Sequence, residues 1–273
     1  ITGGTGSFGK RLVKTFLKKK INVKKLIIFS RDELKQFEME KLYSVKKYKF
    51  LRYFIGDIRD KERLKFAFKD ADIIVHAAAL KQVPTAEYNP IEYIKTNIIG
   101  AQNILEAALE SPKISKVLAL STDKAVSPLN LYGATKLCSD KLFLSANAIK
   151  GDQNIKFSVL RYGNVMMSRG SVIPVFLNTK DQHFNVTTKD MTRFSLTLDD
   201  SVKAAFFALN KMQGGEIFIP KAKSYKILDL AKAIDPKKKL KIVGKRPGEK
   251  VNEVLIPNVE AKNTYENKNY YIV

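Results

Sequence analysis

The run Thr2-Gly3-Gly4-Thr5-Gly6-Ser7-Phe8-Gly9 restricts the fold of this chain more than any other feature. It stands between a short stub, Ile1-Thr2, and a stretch from Lys10 to Lys19 that puts Leu12, Val13, Phe16 and Leu17 on one helical face. Glycines at 3, 6 and 9 permit a tight turn, close approach of the backbone to a pyrophosphate, and close packing of helix on strand. The first turn of the helix then offers amides and the positive end of its dipole to the phosphates. A glycine-rich turn alone could be a plain loop; between a strand and an amphipathic helix it predicts dinucleotide binding. A first strand needs more residues than Ile1-Thr2 supply, so further residues are expected upstream of Ile1.

The rest of the chain continues the same rhythm. Leu26–Phe29, Phe50–Ile55, Asp72–His76, Val117–Ser121 and Phe157–Arg161 read as buried strands, and a helix is expected from about Pro90 to Leu109 and another from Tyr132 to Ala148. This alternation predicts an α/β fold, a Rossmann-type doubly wound parallel sheet. A helix from Asp199 to Met212 and a strand at Glu216–Ile219 belong to it, whereas 221–273 reads as short and irregular. The expected division is a nucleotide-binding domain from 1–163 and 195–220, and a smaller, largely C-terminal substrate-binding lobe from 164–194 and 221–273.

Composition narrows the partners. The net charge of +22 could serve nucleic acid, an anionic membrane surface or an acidic small substrate. The lysines are dispersed (Lys14 to Lys25, Lys46 to Lys49, Lys237 to Lys241) and do not interleave with aromatics as in a single-strand groove, so a solvated surface is expected rather than nucleic-acid binding. No apolar run approaches a membrane span. The single cysteine, Cys138, fits a reducing, cytoplasmic setting and is expected to pack as a small hydrophobe. With only His76 and His183, no metal site is expected.

The second strand ends in Ser30-Arg31-Asp32. A carboxylate at that tip would hold the ribose hydroxyls of NAD, whereas Ser30 and Arg31 suit the 2′-phosphate of NADP, with Lys35 one turn on adding charge. NADP is the expected cofactor; the other reading leaves Arg31 on the surface and gives the ribose to Asp32. Asp57 is expected to accept from the adenine amino group, or else only to cap a turn. Expected cofactor contacts are Gly3, Thr5, Gly6, Ser7, Phe8, Gly9, Ser30, Arg31, Lys35, Asp57, Ile58, Ala77, Ala78, Tyr132 and Lys136.

Ser121-Thr122-Asp123-Lys124 and Tyr132-Gly133-Ala134-Thr135-Lys136 carry the chemistry. Tyr132 and Lys136, at i and i+4, share one helical face. A free phenol titrates near ~10. A neighbouring ammonium and a nicotinamide cation are expected to lower Tyr132 toward neutrality, so that it takes a proton from a sugar hydroxyl as hydride leaves.

On these motifs the chain resembles the extended short-chain dehydrogenase/reductases over essentially its whole length, and more narrowly the inverting (C5-epimerising) UDP-N-acetylglucosamine 4,6-dehydratases. The likeness also rests on Ser30 to Lys35, Gly56 to Asp60, His76 to Lys81, Arg161 to Val165, Ser168 to Ser171, Met191 to Phe194 and Arg246 to Lys250. Its specific element is Asp123-Lys124, since the retaining dehydratases carry Asp-Glu there and 4-epimerases neither pair. The resemblance implies that Tyr132 deprotonates the C4 hydroxyl as NADP takes the C4 hydride, that Lys124 removes the C5 proton while Asp123 protonates the leaving C6 hydroxyl, and that the hydride returns to C6 with C5 reprotonated on its other face. It further implies Thr122 near O4, Lys81 and Asn164 near the sugar diphosphate, Arg169, Arg246 and Glu249 at the UDP end, and Arg193 among the substrate-binding residues. A homo-oligomer acting on a UDP-sugar for surface polysaccharide synthesis follows from the same likeness. Asn164 and Lys81 could instead be structural, and Asn97 and His76 read as scaffold. Three departures bear on the choice of sugar: Met166-Met167 in place of a Val/Met-Gly pair, a short 178–190 loop, and Asn252 where histidine is common. A UDP-hexose 4-epimerase and a non-catalytic NADP-binding regulator remain the alternatives.

Overall fold

The computed structural model describes residues 1–168 and 170–273. Glycines 3, 4 and 6 turn the chain into α1 (Ser7–Lys18), followed by β1 (Leu26–Ser30), α2 (Glu33–Leu42), β2 (Leu51–Ile55), α3 (Lys61–Phe68) and β3 (Ile73–His76). After α4 (Val83–Tyr88) come α5 (Pro90–Tyr93), a π-helical segment (Ile94–Ile99) and α6 (Gly100–Leu109). β4 (Lys116–Thr122) ends in a 3-10 turn (Asp123–Ala125), and α7 (Leu131–Ile149) leads to β5 (Lys156–Tyr162).

Thr2 joins the two parts of the central sheet. It bridges Phe29 and His76 in parallel sense, its amide donating to Val75 O at 3.1 Å, so the stub lies between β1 and β3. β1 pairs β2, and β3, β4 and β5 follow in parallel register. β4 and β5 read as near-continuous apolar runs because helices cover both faces of the sheet's centre. Phe29, Ile74, Val117, Val159 and Ile104 join one buried cluster, and Leu118, Leu160 and Ala205 the opposite one.

Beyond β6 (Asn164–Val165), α8 (Val172–Asn178), β7 (His183–Val186) and β8 (Thr192–Leu196) leave the sheet, and α9 (Leu198–Lys211) and β9 (Ile217–Pro220) return to it. The stretch expected to be irregular holds β10 (Lys223–Lys226), α10 (Ile227–Ile234), β11 (Lys239–Ile242), α11 (Asn258–Ala261), β12 (Tyr265–Glu266) and β13 (Tyr270–Ile272). The small lobe is β10-β8-β6 with β11-β7, closed over Phe176, Phe184, Met191 and Ile227. β13, however, pairs antiparallel with β9, and Tyr270 stacks on Phe207 of α9 at 3.9 Å between ring centroids. The end of the chain thus packs on the nucleotide-binding core rather than on the small lobe expected to hold it. Among the described residues, no helix is long and apolar enough to cross a membrane.

Two local outcomes differ from the sequence expectation. The helix expected from Pro90 to Leu109 contains the π-helical segment, whose wider turn presents Asn97 to Leu80 (O to Nδ2 2.8 Å, N to Oδ1 2.9 Å) and to the Thr135 hydroxyl. Cys138 is exposed rather than packed, because α7 turns Thr135, Lys136 and Ser139 inward at its level.

Candidate active site

A cleft of ≈ 1000 Å³ runs across the ends of the parallel strands, from the Gly3–Gly9 turn to the small lobe. That is where an open α/β sheet offers a crevice. Gly3 adopts a φ of +66°, and a Cβ there would stand 2.8 Å from Ala78 Cα. A Cβ on Gly9 would lie 2.3 Å from Gly4 O, so α1 packs on the turn only through glycine. Gly6 precedes α1 with no side chain capping the first helical turn. Thr5, Ser7, Phe8, Ile58, Ala77 and Ala78 line the same end of the cleft.

At the tip of β1, Ser30 is buried, its hydroxyl and carbonyl each accepting from Gln36 Nε2 at 3.0 Å. Arg31 stays largely exposed on the cleft wall, its guanidinium 3.5 Å from the Asp57 carboxylate. Asp32 serves as N-cap of α2, accepting from Lys35 N at 3.0 Å, and its other oxygen pairs with the Lys35 ammonium. Asp57 lies beside the cleft wall, between Gly56 and Ile58. Burial works against its charge, but hydrogen bonds from Arg59 and the charges of Arg31 and Arg59 hold its carboxyl below the usual range.

β4 delivers the catalytic candidates. Thr122 ends the strand and hydrogen-bonds the Tyr132 phenol; its hydroxyl also donates to Asp123 Oδ1 at 3.0 Å. The 3-10 turn that follows buries Asp123 completely and swings Lys124 back, placing its Nζ 3.0 Å from the same Oδ1. Asp123 Oδ2 accepts no hydrogen bond among the described residues and faces Gly163, where a Cβ would come within 3.1 Å of it. α7, capped by Asn130 through Gly133 N at 2.8 Å, sets Tyr132 and Lys136 one turn apart on the cleft wall.

The electrostatics differ from the expectation at one point. Burial pushes the Tyr132 phenol up; the Thr122 hydrogen bond opposes this, and the Asp123 and Asp140 carboxylates add to it. The protein's own groups therefore do not bring Tyr132 toward neutrality. Lys136 is buried beside Asp140, and burial lowers its pKa while Asp140 raises it. Asp140 accepts from Ser121 Oγ at 2.6 Å and is itself pushed up by burial, against the pull of Lys136. His76 is held neutral: burial, and then the charge of Lys136, push it down to about 3, and it hydrogen-bonds Thr2 Oγ1 at 2.8 Å.

At the small-lobe end, Lys81 and Asn164 line the cleft with Lys124. Burial and the charge of Lys124 both depress the Lys81 pKa. Arg193, Arg246 and Glu249 do not line the cleft; Glu249 Oε1 lies 3.5 Å from Arg193 and 2.8 Å from Arg246. Arg169 lies outside the described residues. Met167 takes a φ of +57°, the left-handed region, at the position where the sequence departs from glycine. Asn252 accepts from the Thr192 hydroxyl at 2.7 Å. Sequence reasoning missed Asp140 and Glu253, the latter with its Oε1 3.4 Å from Lys124 Nζ. Asp140, one turn beyond Lys136, could have been found from its spacing; Glu253 gave no local signal.

The sequence matches the family described as polysaccharide biosynthesis protein over residues 1–273. It is 52% identical over 276 residues to the UDP-N-acetylglucosamine 4,6-dehydratase (inverting) of Campylobacter jejuni, covering 100% of this chain and 81% of that protein. It is 44% identical over 279 residues to a UDP-glucose 4-epimerase of Rickettsia bellii, covering 99% and 81%. The X-ray structure of Pen from Bacillus thuringiensis superposes with a TM-score of 0.94 at 37% identity, over 100% of this chain and 87% of that one. The chain therefore belongs to the polysaccharide biosynthesis protein family, alongside the inverting UDP-N-acetylglucosamine 4,6-dehydratase it resembles over its full length.

Proposed function

We propose that this protein is a lyase, an NADP-dependent 4,6-dehydratase that inverts C5 of UDP-N-acetylglucosamine to give a UDP-4-keto-6-deoxy-hexosamine. It would act in the cytoplasm as a homo-oligomer, making precursors for surface polysaccharide. The observation that carries this reading is the 3.0 Å contact between Lys124 Nζ and Asp123 Oδ1, with Lys124 and Tyr132 on the wall of the same cleft. An acid and a base stand ready beside a group suited to C4 oxidation.

The glycine turn fits a dinucleotide: a Cβ at Gly3 or Gly9 would fill the cradle, and the residue at the N-cap of α1, Gly6, has no side chain to compete for its amides. When bound, the dinucleotide would accept the C4 hydride and later return it to C6. Arg31, with Ser30, suits a 2′-phosphate, and Asp32, which also lines the cleft, is engaged as a helix cap and by Lys35. Asp57, held ionised, would accept from the adenine amino group. Tyr132 would take the C4 hydroxyl proton, aided by Lys136 and Thr122. Its buried phenol needs a positive charge that the chain alone does not supply, and an oxidised nicotinamide ring carries one. Lys124 would then remove the C5 proton and Asp123 protonate the departing O6. Lys81 and Asn164 would meet the sugar diphosphate, with Arg169, Arg193, Arg246 and Glu249 at the uridine and phosphate end.

The 44% identity to a UDP-glucose 4-epimerase supports a second reading, a UDP-hexose 4-epimerase. Epimerisation would use Tyr132 and Lys136 alone and leave Asp123 and Lys124 without a task. Incubation with UDP-N-acetylglucosamine and NMR of the product separates the two. A C6 methyl signal beside a C4 ketone supports dehydration; a C4 epimer that keeps its C6 hydroxyl refutes it.

A further inference from the structure

The catalytic turn carries a third charged group that comes from the far end of the chain. The segment 248–253 is pinned along residues 124–130 at three points. Asn130 Nδ2 donates to Gly248 O at 2.8 Å, Lys250 Nζ donates to Val126 O at 2.6 Å, and Glu253 Oε1 lies 3.4 Å from Lys124 Nζ. The first two contacts bind backbone to side chain and would suffice to dock the segment. The third buries a carboxylate, 3% exposed, directly on an amine of the site. Its other oxygen, Oε2, accepts no hydrogen bond among the described residues and has Lys250 Nζ at 3.8 Å. A buried carboxylate is costly unless paired. Here it stands between two amines, Lys124 and Lys250, and Lys124 is the nearer.

We propose that Glu253 is a positioning residue for the elimination step: with Asp123 it clamps the Lys124 amine between two carboxylates and holds it in place to meet the C5 proton. This rests on the reading of Lys124 as the group that removes the C5 proton. Lys124, Asp123 and Glu253 form one paired trio. Passing one proton from Lys124 to Asp123 across their 3.0 Å contact makes a free amine and a carboxylic acid at once, with no change in net charge. The C5–H bond then breaks with its proton going to Lys124, and its electron pair forms the C5=C6 double bond. The C6–O bond breaks as O6 takes the Asp123 proton and leaves as water. The trio is back at its starting charges, and Glu253 has exchanged no proton. Lys81 faces Lys124 from the loop after β3 and repels it. Lys250 stands behind Glu253, and Tyr132 reaches the group through Thr122. Glu253 holds Lys124 against the repulsion from Lys81.

The test compares wild type, Glu253→Gln, Glu253→Ala and Lys124→Ala, with NADPH binding by fluorescence as the check on folding. The readout is kcat and KM for dehydration of UDP-N-acetylglucosamine at a single pH. Glu253→Gln keeps the shape but replaces the carboxylate with a neutral amide, so kcat should fall about tenfold with KM unchanged. Glu253→Ala also removes the anchor, and kcat should fall by about 10²-fold with little change in KM. A Glu253→Gln enzyme with the kcat and KM of wild type, with Lys124→Ala inactive, overturns the proposal and leaves Lys124 as the base. Wild-type dehydration by Lys124→Ala overturns instead the reading on which the proposal stands. Should Glu253→Ala fail to fold, the nearly isosteric Glu253→Gln decides alone.

Discussion

Replacing Arg31 should separate the two nicotinamide cofactors. The guanidinium stands at the tip of β1 on the cleft wall, with its side chain 47% exposed and 3.5 Å from Asp57. A charge-assisted hydrogen bond contributes about 1.5–3 kcal/mol. Two features of the site place the effect at the lower end. The exposed position is screened by solvent, and a phosphate must compete with the Asp57 carboxylate that Arg31 already faces. A loss of about 1.5 kcal/mol is roughly tenfold in affinity. Arg31→Ala should therefore weaken NADPH binding about tenfold in a fluorescence titration while changing NADH binding less than about threefold. Arg31→Asp should widen the gap, since it sets a carboxylate against the 2′-phosphate. Equal affinity of the wild type for NADPH and NADH, or a parallel loss of both in Arg31→Ala, would refute the reasoning.

Lys124→Ala and Asp123→Asn should oxidise C4 but eliminate slowly, by ~10²–10⁴-fold, so that mixing with substrate leaves near-ultraviolet absorbance of bound NADPH; Tyr132→Phe should show neither that signal nor product. His76, held at about 3 against an unfolded value near 6.5, binds its proton more readily when the chain unfolds. Stability tied to it is complete above about 6.5 and lost as pH falls toward about 3, by about 1.4 kcal/mol per unit. The fall in urea midpoint across that window should be smaller in His76→Asn, and parallel curves would contradict the assignment. Capture of the anionic sugar nucleotide should slow as salt screens the +22 charge, visible in kcat/KM against ionic strength, whereas a salt-independent rate would remove the steering argument.

The parallel core was legible because its signals are local. The glycine turn, the apolar runs of β4 and β5, and the i, i+4 spacing of Tyr132 and Lys136 each lie within a few residues. α2 was not legible: it buries Gln36 and Met39 while Leu34, Phe37 and Leu42 stay exposed, so its apolar residues do not mark the buried face. The last strands escaped for another reason. β13 is a short strand fixed between β9 and the edge strand β12 and by Tyr270 on Phe207, contacts that no local pattern encodes. The same holds within the site. Asp123-Lys124 could be read from the sequence, but its neighbour Glu253 meets it only through the docking of a remote segment. Arg193, Arg246 and Glu249, expected to bind the substrate, pair with one another beside the cleft.

The central claim is that Asp123 and Lys124 add an elimination to the C4 chemistry of Tyr132, and its outcome is written at C5. The decisive measurement is NMR of the earliest product formed from UDP-N-acetylglucosamine in heavy water. The account predicts a 4-keto-6-deoxy sugar nucleotide with inverted C5 configuration and deuterium at C5. A product that retains the original C5 configuration from the earliest times, or a C4 epimer with its C6 hydroxyl intact, would contradict it.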